Sequence, residues 1–209
     1  MCSRFENKET GLSIFEKLNK NHTGKFILDE SLPELKSINI APTDNILILK
    51  KNEEKIKITS AVWGIKFQSK KNKPLIFNSR IETVKEKEHW QVLFKNNRCL
   101  IPATGFYEWI FNINKKSPYK IRLTKKNLFF IAGLGIELNN IFCVSLITTE
   151  ANSFMVNIHH RMPSVLFAND VVNFLDSDYE NAINMISPLN DNVEMEISPA
   201  FDLMKKKKD

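Results

Sequence analysis

The sequence has no apolar run approaching about 18 residues, the length that a membrane-spanning helix requires. Its first residues, Met-Cys-Ser-Arg-Phe-Glu, lack the apolar core of a signal peptide. It also shows no internal repeat and only one low-complexity stretch, at the C-terminus. These absences predict a cytoplasmic protein with no membrane partner.

Cysteine is scarce, with three residues in the chain. An odd number without a secretion signal argues against a disulfide framework. No Cys-x-x-Cys pair and no Cys/His cluster has the spacing of a zinc site, so we expect no metal and no cofactor. Cys99 and Cys143 are interpreted as buried core thiols, which leaves Cys2 as the cysteine available for chemistry.

The positive charge is concentrated at one end. The net charge is +6, but residues 205–209 (four lysines and one aspartate) contribute +3, so the rest of the chain carries +3. Such a run usually forms a solvated, disordered end. The evidence for a nucleic-acid partner must therefore come from particular residues.

Strand patterns dominate the middle of the chain. Residues 45–49 and 55–59 predict a hairpin whose turn lies in residues 50–54. Further predicted strands are residues 119–123, 128–133 and 141–147, with the last two buried on both faces and a turn at Asn139-Asn140.

Helical patterns occur at the flanks. Residues 11–20 predict an amphipathic helix with Leu12 and Phe15 inward, and Ile14 and Leu18 as further candidates. Residues 168–175 and 179–186 also indicate helices. Strands in the middle with helices outside predict an α+β fold rather than a repeating βαβ layout.

Cys2 is the first candidate for chemistry. A small residue at position 2 permits removal of Met1, which leaves an amine and a thiol on adjacent carbons. The amine has a pKa of about 8, so a substantial fraction is a neutral nucleophile that condenses with an aldehyde. The thiol can then close a thiazolidine ring. Position alone is weak evidence, because any residue can occupy position 2.

Three further blocks carry polar groups. In residues 74–83, Asn78, Arg80 and Glu82 share one face of an extended chain, and an amide beside a guanidinium suits a sugar-phosphate. The alternative is an ordinary strand end with a surface ion pair.

Residues 98–109 place Glu108 between Tyr107 and Trp109. A carboxyl group among aromatic rings tends to have a raised pKa, which suits a general acid or base. Alternatively, the aromatic rings form core and Glu108 points to water. Residues 158–163 contain His159 and His160, of which only one faces a site if the segment is extended.

Together and in order, these blocks resemble the SOS response-associated peptidase (SRAP) family. The motifs that carry the resemblance are Met-Cys-Ser-Arg-Phe at 1–5, Asn-Ile-Ala-Pro at 39–42, Trp-Gly at 63–64, Asn-Ser-Arg-Ile-Glu-Thr at 78–83, Gly-Phe-Tyr-Glu-Trp at 105–109 and Ile-His-His-Arg-Met-Pro at 158–163. The match spans roughly residues 1–175, and six motifs in register are highly specific.

The resemblance implies a single SRAP-type domain over residues 1–204, with a curved, barrel-like and mainly antiparallel β core, followed by the disordered tail. It implies an abasic site processing protein. Cys2 is the covalent residue, Asn78 holds the reacting end, and Glu108 and His159 act as acids and bases. Three arginines bind the phosphates of single-stranded DNA: Arg4, Arg80 and Arg161. We also expect a monomer that associates with DNA.

The chain departs from the family pattern at several positions. Ser3 replaces a glycine, and His160 stands where an acidic residue is common. Residues 65–70 lack the usual proline and tryptophan, which leaves Phe67 as the aromatic residue available to stack on DNA. A Val-x-Asn motif near the end is not evident in residues 197–200.

Three functions remain open from the sequence. The leading hypothesis is a protein that shields abasic sites by covalent attachment. The second is a cysteine-type peptidase that uses Cys2, Glu108 and His159 on its own leading residue or on other peptides. The third is a non-covalent single-strand binding module.

Overall fold

The structure, a computed structural model, describes residues 2–67, 74–112 and 115–204, with only the backbone of Asn112 and Met204. The predicted disorder of residues 205–209 lies outside this part of the chain. No helix among the described residues is long and apolar enough to cross a bilayer.

The described residues form fourteen strands and five α-helices. The strands are β1 (Arg4–Asn7), β2 (Phe26–Leu28), β3 (Ser37–Ile40), β4 (Asn45–Asn52), β5 (Lys55–Trp63), β6 (Asn78–Arg80), β7 (Arg98–Ala103), β8 (Gly105–Asn112), β9 (Lys115–Leu123), β10 (Phe129–Leu138), β11 (Ile141–Glu150), β12 (Arg161–Pro163), β13 (Val165–Leu166) and β14 (Met195–Pro199). The helices are α1 (Gly11–Asn19), α2 (Ile81–Glu86), α3 (Glu88–Asn97), α4 (Val171–Asp176) and α5 (Tyr179–Asn184).

The strands form two sheets. The five-stranded sheet has the order β14-β9-β8-β1-β3, and all its pairings are antiparallel. In the larger sheet β5, β4, β7, β10 and β11 follow one another, and β11 pairs back onto β5, so the curved sheet closes into a ring. The predicted α+β fold with a curved β core is confirmed.

The ring strands are buried on both faces. In β4, Leu47 and Leu49 belong to the apolar cluster that packs against the helices, whereas Ile46 and Ile48 belong to the cluster shared with the five-stranded sheet. In β10, Phe130 faces the helices in the same way. Alternate residues of a strand point to opposite faces, which explains the continuous apolar runs of the sequence.

Helix α1 has a different inward face from the predicted one. Its buried residues are Gly11, Ile14 and Leu18, spaced three and four residues apart, and Phe15 is half-buried. Leu12 is 54% exposed, so its predicted inward position was wrong. The reason is Gly11: a Cβ at this position would meet Leu32 at 2.5 Å, so the helix approaches its neighbours along the glycine.

The two predicted hairpins are confirmed. The turn between β10 and β11 is Asn139-Asn140, with φ angles of 51° and 61°, as a two-residue hairpin turn requires. The turn between β4 and β5 is shorter than predicted, because Asn52 already pairs with Lys55. Of the two expected core thiols, Cys99 is buried but Cys143 is only half-buried.

Arg98 joins the helical layer to the ring. It begins β7 directly after α3, and only 8% of it is exposed. Its Nε donates to the Phe174 carbonyl at 2.7 Å, and its guanidinium also donates to the carbonyls of Lys95, Leu175 and Ser177. These carbonyls lie at the C-terminal ends of α3 and α4, where helices leave acceptors without internal partners.

We predict that Arg98→Ala lowers the free energy of unfolding by about 3 kcal/mol, because several buried carbonyls lose a charged donor together. Denaturant unfolding measures the loss. Arg122→Ala is the matched control, since Arg122 makes a half-exposed ion pair with Glu196 and should cost less than about 1 kcal/mol. Similar losses in the two variants would contradict this assignment.

Candidate active site

Cys2 is held inside the protein by the strand that follows it. Strand β1 pairs with β8, with Arg4 opposite Tyr107 and Phe5 opposite Phe106. Cys2 is 1% exposed, and its thiol donates to the Arg4 carbonyl at 3.1 Å. The pairing of β1 therefore fixes the start of the chain against the Gly-Phe-Tyr-Glu-Trp segment.

Asn78 meets Cys2 from a distant part of the chain. It begins β6, which runs parallel to β11 with Asn78 opposite Leu146. Its Nδ2 donates to the Cys2 carbonyl at 2.8 Å, across a sequence separation of 76 residues. Its Oδ1 is buried and has no hydrogen-bond partner among the described residues. One amide thus anchors Cys2 and keeps an acceptor available beside it.

Trp63 fixes the relative position of these two segments. Its indole lies against Phe5 with ring centroids 5.1 Å apart and against Phe77 at 6.0 Å, both edge to face. Its Nε1 donates to the Phe77 carbonyl at 2.8 Å. Phe5 is three residues from Cys2, and Phe77 precedes Asn78. The sequence shows Trp63 as part of a motif but does not reveal this organising role.

Glu108 is buried rather than directed to water. It lies on β8 and is 4% exposed. Burial raises its pKa. Burial and the negative charge of Glu108 raise the pKa of the Cys2 thiol to about 12. The two groups therefore interact, and the thiol is neutral at physiological pH.

Tyr107 is buried as well, so neither Tyr107 nor Glu108 points to water. Its hydroxyl donates to the Ile38 carbonyl at 2.8 Å and to the Glu6 carboxylate at 3.1 Å. Glu6 is 1% exposed and also binds Lys120 at 2.8 Å. Because neighbouring strand residues point to opposite faces, Tyr107 belongs to this polar network and Glu108 to the Cys2 side.

The two histidines lie side by side. Their ring centroids are 4.4 Å apart and their planes differ by 23°. The expectation that only one of them faces a site applied to an extended segment, and the backbone here is not extended, because a 3-10 turn at Met155–Asn157 precedes the two residues. His159 is half-buried, His160 is exposed, and the Arg161 N–H donates to His159 Nδ1 at 2.9 Å. Burial and neighbouring positive charge lower the pKa of His159.

Arg161 is directed into the protein. It is 6% exposed, and its guanidinium donates to both carboxylate oxygens of Glu82, at 2.8 and 2.9 Å, and to the Thr148 carbonyl at 2.6 Å. Glu82 does not share the face expected for an extended chain with Asn78 and Arg80, since β6 ends at Arg80 and Glu82 lies in the first turn of α2. Through its ion pair with Glu82, Arg161 connects β12 to the first turn of α2.

The remaining predicted residues are exposed or half-buried. Arg4 is half-buried, and Arg80, two residues after Asn78, is exposed. Phe67 packs edge to face against Trp90 of α3, with centroids 6.3 Å apart. Its half-buried ring thus contributes to the helix-facing cluster. No three His, Cys, Asp or Glu side chains converge as metal ligands in the described ranges.

Solved structures show the same fold. A protein from Bacteroides thetaiotaomicron aligns with a TM-score of 0.75 at 19% identity, covering 95% of this chain and 91% of that one. A phage-related protein from Bordetella bronchiseptica aligns with a TM-score of 0.74 at 21% identity, covering 95% and 94%.

Sequence comparison gives the family. The abasic site processing protein YoqW of Bacillus subtilis is 34% identical over 178 residues, which cover 79% of this chain and 76% of the relative. The abasic site processing protein YedK of Escherichia coli is 26% identical over 174 residues, covering 79% and 75%. The family model described as SOS response associated peptidase (SRAP) matches residues 1–205. The chain therefore belongs to the SRAP family.

Proposed function

We propose that this chain processes abasic sites in single-stranded DNA by forming a thiazolidine between Cys2 and the ring-opened sugar. Two relatives of the chain carry the name abasic site processing protein. The observation that supports the covalent step is the placement of Cys2, anchored by Asn78 and electrostatically coupled to buried Glu108. An aldehyde that enters here meets a nucleophile, an acceptor and a proton-transferring group together.

The reaction balances without a co-reactant. Removal of Met1 converts the Cys2 nitrogen from an amide into a free amine, which attacks the aldehyde carbon and forms an imine with loss of one water. The thiol sulfur then adds to the imine carbon, and the thiol proton ends on the nitrogen. The product is a five-membered ring that joins Cys2 to the DNA.

Glu108 is the group that moves protons. The thiol needs a base, because burial and the charge of Glu108 raise its pKa and leave little thiolate at neutral pH. The Glu108 carboxylate can accept the thiol proton and pass it to the nitrogen. Its pKa is raised by burial, so it holds a proton more readily than an exposed glutamate does. The same group can therefore protonate the hydroxyl that leaves during imine formation.

The DNA contacts are assigned to Arg4 and Arg80. Both flank the residues that hold the reacting end, and Arg80 is exposed two positions after Asn78. Phosphate contacts are insensitive to base identity, which suits a lesion that has no base, and they weaken as salt rises. An unpaired strand can bring its sugar into an enclosed site without the cost of opening a duplex. Arg161 is left out of this proposal, because its guanidinium is paired with Glu82.

We predict that Cys2→Ala abolishes a heat-stable adduct with an abasic single-stranded oligonucleotide and leaves thermal unfolding nearly unchanged. Protein mixed with abasic or intact oligonucleotide and boiled in detergent before electrophoresis reports the adduct. Cys143→Ala is the matched control, since Cys143 is a half-buried thiol on β11.

Each alternative function has its own result, read in the same gel for the adduct and in separate native binding and peptide cleavage assays for the other two. An adduct that persists in Cys2→Ala rejects the thiazolidine. Equal binding of intact and abasic strands without an adduct indicates a non-covalent module instead. Turnover of an added peptide that depends on Cys2 indicates a peptidase. Mass spectrometry of the purified protein shows whether Met1 is absent.

We predict that Asn78→Asp slows adduct formation by about 10-fold or more. The substitution keeps the shape but replaces the donor facing the Cys2 carbonyl with an acceptor, and a buried lost donor costs about 1–3 kcal/mol. Single-turnover kinetics measure the effect. Asn39→Asp on β3 is the control, because Asn39 also has a buried Oδ1 but lies outside the site. Equal slowing in both variants would count against the role of Asn78.

We predict that the rate of ring closure falls as the pH is lowered through the raised pKa of Glu108, because protonation removes the base. A raised pKa means that this loss begins at a higher pH than for an ordinary glutamate of pKa 4.5. Glu108→Gln should be slow at every pH and should lack this limb of the pH–rate profile. A profile that is the same in Glu108→Gln and the parent protein refutes the assignment.

A further inference from the structure

The contact between Arg161 and His159 determines which ring nitrogen carries the proton. The Arg161 backbone N–H lies 2.9 Å from His159 Nδ1, and a backbone N–H can only donate. Nδ1 must therefore present its lone pair. In a neutral imidazole one nitrogen accepts and the other donates, so the proton of His159 lies on Nε2.

A second contact of the same nitrogen has to be weighed. The Arg161 carbonyl oxygen lies 3.2 Å from Nδ1 and would suit a protonated Nδ1. A proton there would point at the Arg161 N–H, which is closer and cannot reverse its role. The shorter contact with an obligatory donor decides in favour of the Nε2–H form.

The backbone of Arg161 is held in place through its own side chain. Both terminal nitrogens of the guanidinium bind Glu82, and one of them also binds the Thr148 carbonyl. Arg161 is 6% exposed, and its strand β12 pairs with β11, where Arg161 lies opposite Glu150. A planar bidentate pair fixes orientation as well as distance.

Glu82 connects this assembly to the strand that carries Asn78. It follows β6 by two residues, in the first turn of α2. Strand β6 lies along β11 with Arg80 opposite Thr148, so the Glu82–Arg161 pair links β12 to the helix that follows β6, and both strands lie along the C-terminal part of β11. The Arg161 guanidinium lowers the pKa of Glu82, which keeps the pair ionised.

We propose that His159 acts as a neutral N–H donor rather than as a second acid/base, and that Glu82, through Arg161, is the positioning residue that keeps it so. This inference rests on the proposed function. An Nε2–H can donate to the carbonyl oxygen of the opened abasic sugar and polarise it for attack by the Cys2 amine, while the proton stays on the ring.

This assignment divides the work between two groups. Glu108 transfers protons, and His159 supplies a fixed hydrogen bond. Protonation of the His159 ring is disfavoured, because Arg161 is adjacent and the His160 ring is stacked on it. The donor therefore needs no protonation to operate, and its strength does not depend on a titration near neutral pH.

The test is the ¹⁵N spectrum of the imidazoles in the full-length protein, recorded without DNA at about pH 8, where the ring is neutral. His159→Gln assigns the signals, because those that disappear belong to His159. We expect Nδ1 of His159 at the position of an unprotonated nitrogen and Nε2 at that of a protonated one. A protonated Nδ1, or a mixture of both tautomers, overturns the inference.

Glu82 is tested by Glu82→Gln and Glu82→Asp, with Glu86→Gln as the matched control, since Glu86 is an exposed glutamate on the same helix. We expect Glu82→Gln to give mixed tautomers and about 10-fold slower adduct formation. Glu82→Asp keeps the charge and should restore part of the Nε2–H population and part of the rate of adduct formation. An unchanged tautomer in a folded Glu82→Gln protein overturns the positioning role.

The two proposals fail separately. The tautomer is read in the protein without DNA, so it does not depend on whether an adduct forms. If the parent protein forms no adduct but shows the Nε2–H form, the covalent function fails and the tautomer assignment stands. If it forms the adduct with a protonated Nδ1, the assignment of His159 alone is refuted.

Discussion

The packing of Trp63 between Phe5 and Phe77 is the interaction on which the site depends. Strand β1 brings Cys2 and strand β6 brings Asn78, and neither strand is long enough to fix itself by pairing alone. The indole contacts both aromatic neighbours edge to face, and its N–H holds the Phe77 carbonyl. Aromatic pairs of this kind combine a large buried area with a preferred geometry, which fixes the two strands relative to each other.

Burial determines the chemistry of the two reacting groups. Cys2 and Glu108 are both almost inaccessible, and burial disfavours the charged form of each. Both pKa values are raised, so two negative charges in this environment are unfavourable. A buried, neutral thiol is a poor nucleophile, so this environment limits side reactions of the cysteine.

Sequence patterns predicted the fold better than the orientation of single residues. The apolar runs of β10 and β11 and the Asn139-Asn140 turn were correct, because alternation and turn chemistry are local properties. Leu12 was wrong because Gly11 lets the helix rotate its glycine edge inward. The expectation that only one histidine faces a site assumed an extended segment, whereas a 3-10 turn precedes the two residues. The ion pair of Arg161 with Glu82 could not be read from the sequence, because the two residues are 79 positions apart.

The sequence by itself determined the α+β class, the strand-rich core, the family and the residue types of the candidate site. These follow from periodicity, turn residues and motif order, all of which are written along the chain. Only the tertiary structure decided that Asn78 anchors Cys2, that Glu108 is buried, and that the Arg161 side chain pairs with Glu82. Such partnerships depend on which strands become neighbours, and the ring closed by β11 and β5 brings together segments that the linear order keeps apart.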